Sequence, residues 1–557
     1  MNLKKIKISS FFILLNIFVL FTSVLFIEEI YKLQFSNSEY FKNQALSNRQ
    51  KIDVIEAKRG SILDREFNEV SETVNAFNIG IYPEQIDDKE LASELMAPLL
   101  QLDKAIIFER LNNNKNYFYL KRNVDFEIGT KINNWNYKGI NVEKSSKRII
   151  YSDSLKQIIG HVDPDGNGIE GLELYFDNSL KGTHGELRYE AAPNGDFIPQ
   201  GKSSILDPVH GEDLILSIDS ELQYISENLC SDALKATEAF KCSVVFVNAE
   251  NGEIIISAEK SSTNNKYFNI NLISGRALYE PGSALKIFTI GSLIDEGLLD
   301  EDDKYIVEDE IEIIESSCES LYDGLGGCFS DFLKHETYEL SVKEIIERSS
   351  NVGTIKITKD SSVLKIEEYL TKFGFGQKSG VELTGEAKGG FVSYKKCLTC
   401  LSSLSIGYSV NVSQYQMIRA YSIIANGGKD VKLTLVQKEK VDTQSNTIIS
   451  PEMSSRLKTL LINVVEGENG TGKSLRKEGY IIGGKTGTSR THLEGVGYSE
   501  DRFNTSFTGF VETKDGPVVG SVLLWGAKTN PTSEYVTGGS TAAPIFKKII
   551  SYFVPKE

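Results

Sequence analysis

Ser283 and Lys286 stand three residues apart in YEPGSALKIFTIGSLI, and on a helix that spacing puts a hydroxyl and an amine on one face. A lysine whose pKa is depressed by burial and by neighbouring cations accepts the serine's proton, so the pair reads as a nucleophile and its base. The same S-x-x-K spacing recurs at Ser257/Lys260 and Ser455/Lys458, among other places, and context selects Ser283. Pro281-Gly282 ends an extended segment before it and an apolar helix follows. This predicts the serine at a helix N-terminus, where backbone N–H groups and the dipole favour developing negative charge. Such chemistry also needs a second polar pair to relay protons and a cation with hydrogen-bond donors for a substrate carboxylate. Ser349 and Asn351, between the helical halves EIIER and VGTIKI, supply the first. Lys485-Thr486-Gly487-Thr488 supplies the second, with Gly487 permitting close backbone approach to a ligand.

Rival chemistries fit less well. The five histidines, His161, His184, His210, His335 and His492, lie in polar, loop-like contexts without a G-x-S-x-G elbow or an H-E-x-x-H pair, so histidine is a poor base here. Gly467 to Ser474, GENGTGKS, matches the phosphate-binding expression G-x-x-x-x-G-K-[ST], but a helix-like segment precedes it where a strand is required. It reads as a glycine-rich turn, and no nucleotide is expected. A net charge of −16, from 61 Lys+Arg against 77 Asp+Glu, disfavours a nucleic-acid partner.

Two runs must hold these residues in place. SVVFVNAENGEIIISAE and FTGFVETKDGPVVGSVLLW each carry a turn pair, Asn251-Gly252 and Asp515-Gly516, between alternating apolar residues, a strong hairpin signal. They bracket a long middle of helical segments. The prediction is an antiparallel sheet assembled from both ends of a domain and packed with helices from its middle, an α+β fold. That domain starts near Val209, at GEDLILSIDSELQ. Residues before it mix short β-like runs with Asn-rich linkers and read as a spacer.

From Ile8 to Ile27 the chain is apolar and uncharged, long enough for a ~30 Å hydrocarbon core. Lys4, Lys5 and Lys7 precede it and Glu28 and Glu29 follow, which puts the N-terminus in the cytoplasm and the rest outside. Its exit lacks an A-x-A-like site, so an uncleaved anchor is expected rather than a signal peptide. All six cysteines then fall outside, where pairing is possible. Proximity suggests Cys318 with Cys328 and Cys397 with Cys400 as structural bridges, a four-cysteine zinc site being the alternative. The first of these would close the loop ESLYDGLGG between the first two motifs, in a structural role.

S-x-x-K, S-x-N and K-T-G in this order are the signature of penicillin-binding proteins and serine β-lactamases. Along nearly its whole length the chain resembles a class B penicillin-binding protein, a peptidoglycan D,D-transpeptidase. RGSILDREFNEVS resembles the pedestal motif R-G-x-I-x-D-R-N-G, with Glu66-Phe67 in place of Asn-Gly, and IIGHVDPDGNGIEGLELYFDNSLKGTHGE resembles its second block. SSNVGTIKI, FGFGQKSGVELTGE and GGKTGTS are closest to the septal, cell-division branch. The match departs at SIGYSVNVSQYQM, where only Gln416 keeps the family's place.

The resemblance implies a cytoplasmic tail (1–7), a transmembrane anchor (8–27), a pedestal or dimerisation-like domain (28–206) and a transpeptidase domain (207–557) in a single-pass protein of the bacterial cytoplasmic membrane. By the same resemblance Ser283 attacks D-Ala-D-Ala, Lys286 takes its proton and Ser349 relays it. Asn351 fixes the substrate amide, Lys485, Thr486, Gly487 and Thr488 hold the terminal carboxylate, and no metal or organic cofactor takes part. The implied partners are peptidoglycan stem peptides, the membrane, divisome proteins and a peptidoglycan glycosyltransferase of the shape, elongation, division and sporulation type. An elongation-type enzyme, a β-lactamase and a β-lactam-binding sensor or scaffold are the alternatives. Missing signs of a deacylating acid count against the second, and an intact triad against the third.

Overall fold

Both turn pairs close hairpins. In the computed structural model, which describes residues 3–36, 39–40, 44, 49–152, 155–192, 196–198, 203–262, 273–315, 317–318, 327–392, 397–438, 446–493, 495, 497–531 and 533–554, two compact units are formed. One comprises Met1–Arg59 with Lys181–Glu212, the other Gly60–Leu180 with Asp213–Glu557.

The first unit contains the helix Leu3–Tyr31, of which Phe11–Tyr31 is long and apolar enough to cross a membrane. It also contains an antiparallel three-stranded sheet in which β6 (Gly185–Glu190) lies between β1 (Gln50–Ile55) and β7 (Ser203–Leu206).

The second unit holds two larger sheets. In one, β2 (Ile62–Leu63) joins β3 (Glu69–Ile81) to the parallel β8 (Leu214–Ile215), and β3 also pairs with β4 (Phe118–Asp125) and β5 (Ile140–Ile150). The other is wholly antiparallel. Its order is β10 (Ile254–Ser261), β9 (Lys241–Asn248), β19 (Gly516–Ala527), β18 (Gly497–Thr513) and β17 (Ile482–Leu493). The two hairpins meet where β9 pairs with β19, so both ends of the domain build one sheet, and β17 forms its edge.

Helices cover this sheet because its strands are apolar on both faces: every residue from Lys241 to Val247 is buried, as is the whole of Pro517–Ala527. The helices Lys286–Asp295, Gln414–Ala425 and Pro451–Glu466 contribute Phe288, Tyr421 and Leu457 to a single buried cluster, which also takes in Ile62, Val70 and Leu172. Short ribbons lie between the helices: β11 (Lys304–Val307) with β14 (Tyr338–Ser341), β12 (Glu310–Glu312) with β13 (Cys328–Ser330), and β15 (Gly390–Phe391) with β16 (Val410–Asn411).

Three disulfides join Cys230 to Cys242, Cys318 to Cys328 and Cys397 to Cys400, so the bridge reading holds for the two pairs that proximity suggested and the zinc alternative falls. Of the loop ESLYDGLGG, residues 319–326 lie outside the described residues. GENGTGKS follows the helix Pro451–Glu466 and runs at its end into a single 3-10 turn, Lys473–Leu475, and so is a turn as expected.

Candidate active site

Pro281 and Gly282 interrupt an extended segment, and the chain enters the helix through a 3-10 turn, Gly282–Leu285, that continues directly as Lys286–Asp295. Ser283 therefore sits one turn before the α-helix proper rather than in its first turn, and it is partly buried. Two neighbours pin this turn. Gly282 has φ +55°, and a Cβ there would lie 2.7 Å from the Thr488 carbonyl oxygen. Its N–H donates to the Gly407 carbonyl at 3.1 Å, and a Cβ on Gly407 would come within 2.0 Å of the Gly282 oxygen. Gly487 is equally constrained, since its Cβ would meet the Pro281 oxygen at 2.7 Å. Glycine at 282, 407 and 487 thus lets the nucleophile's turn, the K-T-G strand and the 407 loop touch backbone to backbone.

Lys286 is wholly buried and donates to the Ser349 carbonyl and to Asn351 Oδ1, each at 2.7 Å. Burial pushes its ammonium down to about 7, against the pull of the Asp331 carboxylate. Lys485, also buried, donates to Ser349 Oγ at 2.7 Å. Its burial, and then the Lys286 charge, hold it well below the ordinary lysine range. Ser349 lies between the helices Val342–Arg348 and Asn351–Thr358 with φ +63°, a left-handed conformation that costs a non-glycine residue about 1–2 kcal/mol. That strain turns its hydroxyl and its carbonyl towards two different lysines.

On β17, Thr486 Oγ1 donates to Thr471 Oγ1 at 2.9 Å and Thr488 Oγ1 accepts from the Gly538 N–H at 3.2 Å. Because β17 is the sheet's edge, one side of its backbone is free of a strand partner among the described residues, a surface on which an extended peptide can add as a further strand. Hydrogen bonds thus join Lys286, Ser349, Asn351 and Lys485, the backbone of the Ser283 turn lies against Thr488, and Thr486 and Thr488 stand on the same strand as Lys485.

Others had no local signal. Asp331 stands in a polar stretch after β13, yet accepts from Ser350 Oγ and from the backbone of Asn351 and Val352. Thr471 belongs to the turn GENGTGKS, and Gly407 to the segment that departs from the family pattern. Glu280, three residues before the nucleophile, accepts from the Ser409 N–H at 3.0 Å and the Tyr498 hydroxyl at 2.9 Å, and burial raises its pKa.

A family model described as the penicillin binding protein transpeptidase domain matches residues 242–551. The chain belongs to this family. It is a class B penicillin-binding protein, for a model of the penicillin-binding protein dimerisation domain also matches residues 54–216. Penicillin-binding protein PbpB of Mycolicibacterium smegmatis is 26% identical over 97% of this chain and 89% of its own length. Peptidoglycan D,D-transpeptidase FtsI of Buchnera aphidicola is 27% identical over 97% and 94%. The crystal structure of penicillin binding protein 3 of Mycobacterium tuberculosis complexed with aztreonam superposes with a TM-score of 0.65 at 22% identity, covering 90% of this chain and 96% of that one.

Within this penicillin-binding protein the pedestal motif has a definite task. Asp64 Oδ1 accepts from the backbone of Glu66 and Asn68, while Oδ2 accepts from the Ser220 hydroxyl at 2.5 Å, at the start of the helix Ser220–Thr237. Phe67, where the family motif has glycine, keeps φ +65° and stays exposed. In the divergent 407–416 segment, Gln416 Nε2 donates to the Gln377 and Lys388 carbonyls, and Tyr279 and Val412 exchange backbone hydrogen bonds. The wall beside the nucleophile is therefore held by backbone pairing that the altered side chains leave intact.

Proposed function

We propose that this penicillin-binding protein cross-links peptidoglycan stem peptides through an acyl-enzyme on Ser283. The reading rests on one observation: a wholly buried Lys286, held by the Ser349 carbonyl and Asn351 Oδ1, follows Ser283 by a single turn and has its ammonium near neutrality. Neutral Lys286 accepts the Ser283 proton as Oγ attacks the carbonyl carbon of the penultimate D-Ala. The backbone N–H groups of Ser283 and Thr488 receive the oxyanion. The C–N bond then breaks, and the proton passes by way of Ser349 to the departing D-Ala amine. An amine of a second stem peptide attacks the ester and releases Ser283.

Lys485, Thr486 and Thr488 hold the terminal carboxylate, Gly487 lets it approach, and Asn351 orients the donor amide. A bound carboxylate opposes the desolvation that holds Lys485 well below the ordinary lysine range, so donor recognition favours its charged form.

The same reading carries the cellular setting. The anchor 8–27 leaves the tail 1–7 in the cytoplasm and sends the pedestal (28–206) and catalytic domain (207–557) outside, with the positive residues ahead of the span as the argument. The septal resemblance of SSNVGTIKI and GGKTGTS favours cell division over side-wall growth, with a membrane glycosyltransferase and divisome proteins as partners.

Fluorescent penicillin added to the purified full-length protein tests the chemistry. A covalent adduct at Ser283 by intact-mass and peptide analysis, lost in Ser283→Ala, is expected; an adduct that survives Ser283→Ala overturns the assignment. A fluorescent fusion concentrated at midcell supports the septal setting, and one spread along the side wall replaces it with elongation.

A further inference from the structure

Asp331 receives more hydrogen bonds from the Ser349–Asn351 segment than any other side chain in the site, and the chemistry above gives it no task. Its carboxylate is nearly buried, with 10% of the side chain exposed. Oδ2 accepts from Ser350 Oγ at 2.7 Å and faces His335 Nε2 at 3.0 Å, while Oδ1 accepts from the Val352 N–H at 3.0 Å and from the Asn351 N–H. The residue before it acts on the same group, since the Ser330 carbonyl accepts from Asn351 Nδ2 at 2.9 Å. Asn351 is thereby gripped at its backbone and at its amide nitrogen, which leaves Oδ1 turned to the Lys286 ammonium at 2.7 Å.

We propose that Asp331 is a positioning residue for the reaction, holding Ser350 and Asn351 so that Asn351 Oδ1 and the Ser349 carbonyl stay on Lys286. The proposal rests on the serine–lysine reading above. Three features of the molecule point the same way.

The geometry is the first. Lys286 makes both of its hydrogen bonds to the segment 349–351, and that segment, strained at Ser349, is tethered from outside by Asp331 and Ser330. A residue in the left-handed region persists only where its surroundings over-determine it.

Electrostatics is the second. Lys286 is faced by the Lys485 ammonium from β17, by the Ser349 carbonyl and Asn351 Oδ1, and by the Asp331 charge; of these only Asp331 is anionic. It opposes the desolvation that lowers the lysine. Asp331 in turn faces His335, whose two ring nitrogens meet Asp331 Oδ2 and the Glu336 carbonyl. Against its burial, the Glu336 carbonyl and then the Asp331 and Asp309 carboxylates raise the His335 pKa above its usual range.

Support of Asp331 itself is the third. Its N–H donates to the Asp309 carbonyl at 3.1 Å, and it follows β13 directly, whose first residue, Cys328, is bridged to Cys318. The carboxylate is fixed before the helix it serves begins.

The test uses full-length protein in detergent and measures the rate of acylation by fluorescent penicillin against pH, with thermal unfolding alongside. Asp331→Asn is expected to acylate about 10²-fold more slowly near neutrality, and its acid limb moves to lower pH because Lys286 loses the charge that holds its pKa up. Asp331→Glu keeps the charge on a longer arm, so it slows acylation but leaves the acid limb in place. In the double variant with Asn351→Ala, the Asp331→Asn substitution costs no further rate, because its effect passes through Asn351. Wild-type rate and limb in Asp331→Asn, equal limb shifts in the Asn and Glu variants, or losses that multiply in the double variant would each overturn the proposal. Should the wild-type protein take no label at Ser283, it is the serine–lysine reading that fails instead.

Discussion

Lys485 Nζ donates to Ser349 Oγ at 2.7 Å across 136 residues of chain, while the carbonyl of the same serine accepts from Lys286 at the same distance. One strained residue thus serves both cations, and its hydroxyl and its backbone have separable roles. Ser349→Gly and Ser349→Ala both remove the hydroxyl and are expected to lose the proton relay alike, about 10²-fold or more in acylation rate. They differ in stability: at φ +63° glycine relieves the left-handed penalty, so the Gly variant is more stable than the Ala variant by about 1 kcal/mol. Denaturant unfolding of the two, with acylation measured in parallel, checks both halves.

Lys286 sets a pH dependence of stability. Its folded pKa, about 7, lies below the unfolded value of 10.5, so between those limits the unfolded chain binds the extra proton. Stability therefore rises with pH across that window, and below it the full penalty, on the order of a few kcal/mol, is already present. Lys286→Met keeps the stem and removes the titration. It is expected to abolish acylation, to unfold at a higher temperature than wild type near neutrality, and to show a shallower alkaline rise, the part that remains coming from buried Lys485. Thermal scans of both proteins from neutral to alkaline pH decide it, and a wild-type profile that falls with pH in that range contradicts the sign.

The Cys318–Cys328 bridge is nearer the chemistry than its place between the motifs suggests. Glu312 pairs with Cys328 in the ribbon of β12 and β13, and β13 ends at Ser330, whose carbonyl holds Asn351. The double substitution Cys318→Ala/Cys328→Ala, which leaves the other two bridges in place, should lower stability by up to about 3 kcal/mol in the chain-entropy model. It should also slow acylation per folded molecule. Active-site titration against rate separates the two effects, and an unchanged rate per folded molecule would confine the bridge to a structural role.

Phe67 occupies a glycine position of the pedestal motif without making use of its ring, which is 64% exposed. Phe67→Gly is expected to stabilise the protein by about 1 kcal/mol with acylation unchanged. Denaturant unfolding that shows no gain would mean that the glycine's greater freedom in the unfolded chain cancels the relief.

Much of this site is legible in the sequence because its motifs are local. Asn251-Gly252 and Asp515-Gly516 announce two hairpins, and Ser283 with Lys286, or Lys485 to Thr488, each sit within one short segment. What joins the segments leaves no such trace. Asp331 reaches Asn351 from 20 residues away, Gly407 meets Gly282, and Thr471 reaches Thr486 out of a turn that resembled a phosphate loop. The charge of DFLKH and the glycine of SIGYS look like ordinary loop chemistry until the fold brings them to the nucleophile. The 3-10 entry at Gly282 escaped for a related reason: helical spacing fixes which face Ser283 shares with Lys286, but not how tightly the first turn is wound.

The order of strands in the catalytic sheet sets a clock on the enzyme's own birth. β9 and β10 emerge early, yet the strand that β9 needs, β19, comes only at Gly516–Ala527, after all three motifs have been written. A chain interrupted after Thr513 would possess its nucleophile, both lysines and the strained serine, and still have no central strand to bring the two hairpins together. Pairings of such long sequence separation form slowly and late. A nascent chain that has not yet reached β19 is therefore expected to be inert, unable to spend a donor peptide or be trapped by a β-lactam.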